Sequence, residues 1–344
     1  LNRSLVKYLI RLAETDTLPE AAIRLYLKVR FRRTRRRIAR LSSADKQSVI
    51  AEMRRAPIAI ETAATNKQHY EVPTPFFKLV LGKRMKYSAC WFENGAETLD
   101  EAERKMLDLV IARADIQNGQ SVLDLGSGWG SLALYLAQKF PKSDIRAVSA
   151  SQTQADHINA QAQRNGFKNL TASRIDLARD FPDGEFDRIM AIEVFEHMRN
   201  YATLLKNIAA HLAADGKLFV HIFAHKRMPS FYQTNAGDSW MADNFFAGGF
   251  MPCYDIFDYF DADLATAARW QINGAHYART LNAWLAKLKA NRRAALRALA
   301  DAPNPKLAYT RWKLFFIACA EFFAANNGEE WFVSHHLLQK RTAA

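Results

Sequence analysis

The segment Ile192-Glu-Val-Phe-Glu-His-Met198 gathers two carboxylates and an imidazole within five residues. If Glu193 opens a turn of helix, Glu193, Glu196 and His197 stand at i, i+3 and i+4 on one face. Such a group is costly unless it binds a cation or shares protons. Its chemistry would be to hold an ammonium and take its proton; a solvated acidic helix start is the plainer alternative. A second constellation lies upstream in Ser121-Val-Leu-Asp-Leu-Gly-Ser-Gly-Trp-Gly130. Here an apolar run carrying Asp124 closes on glycines at 126, 128 and 130. Glycines so spaced turn a strand into a helix and let backbone approach a ligand with no Cβ in the way. The following helix start adds free N–H groups, so a nucleotide-like cofactor is expected there.

Lesser candidates flank these two. After the second predicted strand, Ala147-Val-Ser-Ala-Ser-Gln152 lacks the acid that commonly takes ribose hydroxyls, leaving Ser149, Ser151, Gln152 and Gln154 as neutral partners. Ser151 also suits a helix N-cap. Asp176, after strand three, can accept from an adenine amino group or stand as a surface loop aspartate. His221 and His225 are four apart on a predicted strand and its exit. That spacing serves joint ligation poorly, and no metal site is expected.

The elements that must hold these residues alternate in the centre of the chain. Strands are expected at Ser121–Leu125, Asp144–Ser149, Asn169–Arg174, Phe186–Ile192 and Lys217–Phe223, with helices at Ser131–Phe140, Gln152–Asn165 and Tyr201–Leu212 and a turn at Asp215-Gly216. This rhythm predicts an α/β fold with a Rossmann-like doubly wound sheet and a ligand at the strands' carboxyl ends. Residues 1–75 read as a helical extension, with helices Arg3–Glu14, Leu18–Leu41 and Ser43–Ala56 ending at the breaker Tyr70-Glu-Val-Pro-Thr-Pro75. A helix Leu99–Arg113, capped by Thr98, precedes the first strand. The core is placed at 76–225. Residues 226–325 carry an inserted aromatic lid, helices at Trp284–Ala300 and Lys306–Ala324, and a late strand at Arg269–Ile272. Residues 326–344 hold the last strand, Trp331–Gln339, and the last pair forms an antiparallel edge.

Composition bounds the partners. The chain has 344 residues, 49% hydrophobic and 24% charged, and a net charge of +13. No apolar run reaches a transmembrane length and no secretory signal is read. Three scattered cysteines fit a reducing cytoplasm. Eight of the thirteen residues from Lys28 to Arg40 are basic. We read them as the solvated side of an amphipathic helix that buries Leu25, Val29, Ile38 and Leu41. No nucleic-acid module accompanies them, and a membrane surface is the less favoured partner; the N-terminal helices also offer a face for a homodimer.

Taken together, Asp124-Leu-Gly-Ser-Gly-Trp-Gly130 resembles the first motif of class I S-adenosyl-L-methionine (SAM) methyltransferases. With Tyr87-Ser…Phe92, Glu193-Val-Phe-Glu-His-Met198 and His276-Tyr-Ala-Arg-Thr280, the chain resembles the cyclopropane-fatty-acid synthase superfamily. Tyr70-Glu-Val-Pro-Thr-Pro75, Arg199-Asn-Tyr201 and Asn326-Asn-Gly-Glu-Glu-Trp331 with Ser334-His335 bring it nearest to the coclaurine-type benzylisoquinoline N-methyltransferases. The resemblance implies SAM as cofactor, held by Tyr87, Ser88, Asp124, Gly126, Gly128, Ser149, Gln154 and Asp176. It implies a small amine substrate, catalysis by Glu193, Glu196 and His197, and an aromatic wall including Trp331 and Phe332. In the lipid cyclopropane synthases a Tyr-Ser-Cys cysteine helps hold bicarbonate. Here that position is Ala89 and the cysteine is Cys90, which favours the N-methyltransferase branch; lipid modification is the alternative.

Overall fold

A computed structural model describes residues 3–60, 72–232 and 240–341. Helices α1 (Arg3–Glu14), α2 (Glu20–Ile38) and α3 (Ser43–Arg55) come first. Ser42 and Asp45 form a reciprocal cap at the start of α3. Tyr70 and Glu71 of the expected breaker lie outside the described residues. Its two prolines begin a helix, α4 (Thr74–Val80), with Pro73 at the cap and Pro75 in the first turn. Proline is tolerated there because those N–H groups have no intrahelical partner. Helix α5 (Leu99–Ala114) starts at a Thr98–Glu101 capping box.

The central sheet has seven strands in the order β3-β2-β1-β4-β5-β9-β8. Strands β1 (Ser121–Leu125), β2 (Asp144–Ser149), β3 (Leu170–Arg174), β4 (Phe186–Ile192) and β5 (Leu212–His225) run parallel. Between them lie α6 (Ser131–Lys139), α7 (Gln152–Arg164) and α8 (Tyr201–Ala210). The order reverses at β1, which places the crevice for a ligand beside the glycine loop. β9 (Trp331–Lys340) runs antiparallel between β5 and β8 (Leu264–Ile272), the edge expected from sequence. The turn expected at Asp215-Gly216 is absent: β5 is 14 residues long and absorbs those residues by a register shift opposite β4. A bulge accommodates the extra residues without ending the strand.

The inserted segment holds β6 (Ser230–Phe231), α9 (Trp240–Asn244) and β7 (Phe250–Met251). Helices α10 (Gly274–Ala290), α11 (Arg292–Ala298) and α12 (Pro305–Ala324) follow. Thus α10 begins ten residues before the expected helix, and the His276–Thr280 motif lies in its first turns. Phe245 stacks on Phe315 of α12 at 4.4 Å, tying the inserted segment to the helices.

The N-terminal helix turns a different face inward than its apolar spacing suggested. Leu25, Val29 and Leu41 are 65%, 45% and 37% exposed. The inner stripe of α2 is Ile23, Leu27, Phe31 and Ile38, with Phe31 edge-on to Phe322 at 5.3 Å. Two of its cations also point inward. Arg24 pairs with Glu321 at 2.7 Å and Arg35 with Glu330 at 2.9 Å, both carboxylates largely buried. The buried acids on α12 and before β9 favour this rotation of α2: Glu321 draws its cation partners from α2, and Glu330 adds Arg35 to the pairs it makes with Lys226 and His225.

Candidate active site

The glycine loop leaves β1 with left-handed backbone at Gly126 (φ 65°) and Gly128 (φ 52°). A Cβ at Gly126 would meet Val194 Cγ2 at 2.5 Å, so the loop packs directly on the segment carrying Glu193. Apart from its chain neighbours, no atom of the described residues comes within 4 Å of a Cβ built at Gly128, which faces the cleft. Asp124 is buried beneath. Its pKa is pushed up to about 7 by burial, against a backbone hydrogen bond from Ala133 that lowers it. Its Oδ2 has no partner among the described residues.

One arm of the cleft runs past Tyr87, Ser88, Asp124 and Gly128. The other runs past Ser149, Gln154 and Asp176 toward Ile175 and His197. Ser149 donates to Gln154 Oε1 at 2.7 Å, while Ser151 caps α7 as expected. Asp176 accepts from Ala178 N at 3.1 Å in a local turn, and its second oxygen lies 3.8 Å from Arg179 Nε.

Both arms and a larger chamber of about 690 Å³ share one residue, Glu193. Its backbone is left-handed (φ 54°), and its N–H donates to His221 O at 2.8 Å. A non-glycine residue so placed is strained by about 1–3 kcal/mol, a feature that clusters at functional sites. Glu193 therefore does not open a helical turn. The 3₁₀ turn begins at Phe195, and Glu196 and His197 reach the same chamber from it. The three side chains converge through the kink rather than along one helix face.

Glu196 is buried, and its pKa is raised well above the ordinary 4.5, first by burial and then by the Glu193 carboxylate beside it. Tyr277 donates to Glu193 Oε2 at 3.2 Å. The walls are aromatic: Tyr87 packs against Trp284 at 5.4 Å, Tyr277 on Phe323 at 4.4 Å, and Trp331 on Phe322 at 4.2 Å. The chamber is thus mainly apolar and aromatic, anionic at the end facing the cleft, with Arg30 and Arg37 of α2 also in its lining. The family model for mycolic acid cyclopropane synthetase matches residues 59–331, which include the glycine loop, Glu193, Glu196, His197, Tyr277 and Trp331.

The chain belongs to that family. It is a SAM-dependent methyltransferase. (S)-coclaurine N-methyltransferase of Thalictrum flavum subsp. glaucum is 36% identical over 306 residues, covering 84% of this chain and 82% of the relative. The Papaver somniferum enzyme of the same name is 31% identical over 343 residues, covering 97% and 98%. A crystal structure of coclaurine N-methyltransferase bound to N-methylheliamine and SAH has a TM-score of 0.93 and 33% identity, covering 98% of this chain and 100% of that one.

The cleft of this methyltransferase fits SAM on its own geometry. The open side of Gly128 leaves room for ligand atoms, and the orphaned Asp124 oxygen calls for a donor such as an ammonium. Lys86, absent from the sequence reading, lies buried beside Asp124's arm and donates to Ser88 Oγ and to Ala89 O. Trp331 lines the chamber, but Phe332 does not. Successive strand residues face opposite ways, and Phe332 packs on Tyr254 at 5.4 Å across the sheet. Cys90 is buried against Phe92 and Ala102, away from the chamber. Tyr277 belongs to the motif quoted from sequence, yet nothing local signalled its contact with Glu193.

The rest of that motif is a clamp. His276 Nδ1 accepts from Phe92 N at 3.2 Å and its ring stacks on Trp91 at 4.2 Å, while Thr280 Oγ1 accepts from Cys90 N. His276→Ala frees a partly buried N–H next to the Tyr87 wall. We expect a stability loss of about 1–3 kcal/mol, read by thermal unfolding, with part recovered on adding SAM. Unchanged melting would show that the clamp carries no load.

Proposed function

We propose that this methyltransferase moves the methyl group of SAM to the nitrogen of a small amine with a flat, apolar body, of the tetrahydroisoquinoline type. One observation carries the reading: a chamber walled by Tyr87, Tyr277, Trp284 and Trp331 ends on Glu193, Glu196 and His197 beside the cofactor cleft. An apolar body with a cationic end matches that asymmetry. The coclaurine N-methyltransferases named above have acceptors of this kind, which supports it.

SAM supplies an electrophilic methyl on a sulfonium. The remaining work falls to side chains. Ser149, Gln154 and Asp176 would hold the nucleoside, and Asp124 the ammonium of the amino-acid end. An arriving ammonium substrate offsets the repulsion from Glu193 that raises the Glu196 pKa, so Glu196 ionises beside it. Glu193 orients the nitrogen while its proton passes to Glu196 with His197 alongside, freeing the lone pair to attack as the carbon–sulfur bond breaks. The raised proton affinity of Glu196 narrows the gap to the amine, which favours the transfer. The aromatic walls keep water from the nitrogen.

A second reading, modification of an unsaturated fatty-acyl chain or phospholipid, is favoured by the apolar length of the chamber. It leaves two carboxylates facing an alkene with no charge to meet. The deciding test is a product mass shift of one methyl group on incubation with labelled SAM and a panel of tetrahydroisoquinolines, against vesicles of unsaturated phospholipid. Label in the lipid and none in any amine would reverse the order of the two readings.

The Asp124 assignment has its own test. Asp124 is protonated below about pH 7, so SAM affinity by calorimetry should fall as pH drops through that value. Asp124→Asn should bind SAM more weakly and without that slope. A wild-type affinity flat from pH 6 to pH 8 would remove Asp124 from the ammonium site.

A further inference from the structure

Two fully buried histidines connect the chamber to α5 along one face of the sheet. Arg113 of α5 lies with its Nη1 2.9 Å from His335 Nδ1. His335 Nε2 is 2.8 Å from His221 Nδ1, and His221 Nε2 faces Glu193 Oε1 at 3.5 Å. That last contact is electrostatic rather than a formed hydrogen bond, and neither of its two atoms has a hydrogen-bond partner among the described residues, so each is free to meet the other. His221 and His335 are register partners on β5 and β9, and Ile192 is the register partner of His221 on β4. The line therefore crosses three adjacent strands at one level and ends on the strained Glu193.

The protons on this line can be assigned by elimination. A guanidinium only donates, so His335 Nδ1 must be bare and its proton must sit on Nε2. That N–H then donates to His221 Nδ1, which places the His221 proton on Nε2, aimed at Glu193. Burial holds both rings neutral: the pKa of His221 is lowered to about 4, with Lys86 and Arg113 adding and Glu193 opposing, and that of His335 well below its ordinary value, with His221, Arg113 and Lys86 adding. Both hydrogen bonds in the chain then point the same way, and they aim the His221 N–H at Glu193.

We propose that Arg113, His335 and His221 are positioning residues: a one-way hydrogen-bond chain that holds the Glu193 carboxylate in its left-handed setting and turns one oxygen toward the protein. Tyr277 holds the other oxygen from the opposite side. The chain ends in a neutral donor, so this contact orients Glu193 without adding a charge beside the substrate ammonium, although the buried Lys86 is within electrostatic reach of the same carboxylate. This deepens the reading of Glu193 as the group that orients the amine and rests on it.

The test has two arms on the full-length protein. Nitrogen-15 spectra of histidine-labelled protein at pH 7, assigned with His221→Gln and His335→Gln, should show both rings neutral and protonated on Nε2. A proton on Nδ1 of either ring, or on both nitrogens, overturns the chain. In the second arm, His221→Leu and His335→Leu should lower kcat about 10–100-fold, the scale of a lost hydrogen bond to a charged group, with SAM affinity retained. The Gln variants, which can accept and donate in the same order, should recover most of the loss. Equal kcat in Leu and Gln variants reduces these histidines to packing and overturns the proposal. The spectra need no methyl acceptor, so correct tautomers in a protein that methylates no amine would fault the functional reading and leave the chain standing.

Discussion

Glu196→Gln should lower kcat for amine methylation by about 10²–10⁴-fold, the usual worth of a general base, while leaving SAM affinity within a fewfold of wild type. The carboxamide keeps the shape of the side chain but cannot take the nitrogen's proton. Equal losses in turnover and cofactor binding would show a folding defect instead and end the base assignment. The same variant should be more stable than wild type near neutral pH. Glu196 has a folded-state pKa raised above its unfolded 4.5, so its contribution to stability is fully present below that value and is lost as pH rises through the folded one. Glutamine has no charge to bury. The gain in melting temperature should therefore vanish near pH 4 and grow toward pH 8, at about 2–4 °C for each kcal/mol relieved. A gap independent of pH would mean that Glu196 is not held protonated. Stability and activity trade against each other at this residue because the ionised form needed for the chemistry is the one that burial disfavours.

Gly128→Val should abolish measurable SAM binding, with turnover lost in consequence. Two effects act together. The backbone at φ 52° is strained for any β-branched side chain, and the new atoms project into the cleft rather than into protein. Because no atom of the described residues beyond its chain neighbours stands within 4 Å of the new Cβ, the fold should survive, and thermal unfolding without SAM should change by only about 1–2 kcal/mol. The loss should appear instead as missing stabilisation on adding SAM. Gly126→Val is the contrasting case, since its Cβ meets Val194 at 2.5 Å and should damage the fold itself. Retained calorimetric affinity in Gly128→Val would refute the cradle.

Much of this architecture was legible because it is written locally. The strand Ser121–Leu125, its glycine turn and the following helix depend on residues a few positions apart, and so does the capping of α5 by Thr98 and Glu101. The alternation of strand and helix gave the parallel sheet, and the last two apolar segments its antiparallel edge. What was misread depends on which way an element faces. The apolar residues of α2 were assigned to the core, but buried Glu321 and Glu330 favour a rotation of the helix in which Arg24 and Arg35 turn in while Leu25 and Val29 turn out. Trp331 and Phe332 are adjacent in sequence and opposite in space. The span of Asp215-Gly216 had the composition of a turn, and it forms an unpaired bulge inside β5, which pairs with β4 at Leu212 and again from Lys217.

From the sequence alone came the kind of chemistry: a glycine loop for SAM and a Glu-Val-Phe-Glu-His segment able to hold and deprotonate a cation. Both follow from backbone preferences and side-chain types within a few residues, which no distant contact needs to supply. The tertiary structure decided how that chemistry is arranged. It bent Glu193 out of helical geometry and raised the proton affinity of Glu196 by burial. It also joined His221 to His335 across 114 residues of chain. Such partners are set by strand register and helix rotation, which are fixed by the packing of the whole core and leave no short-range pattern to read.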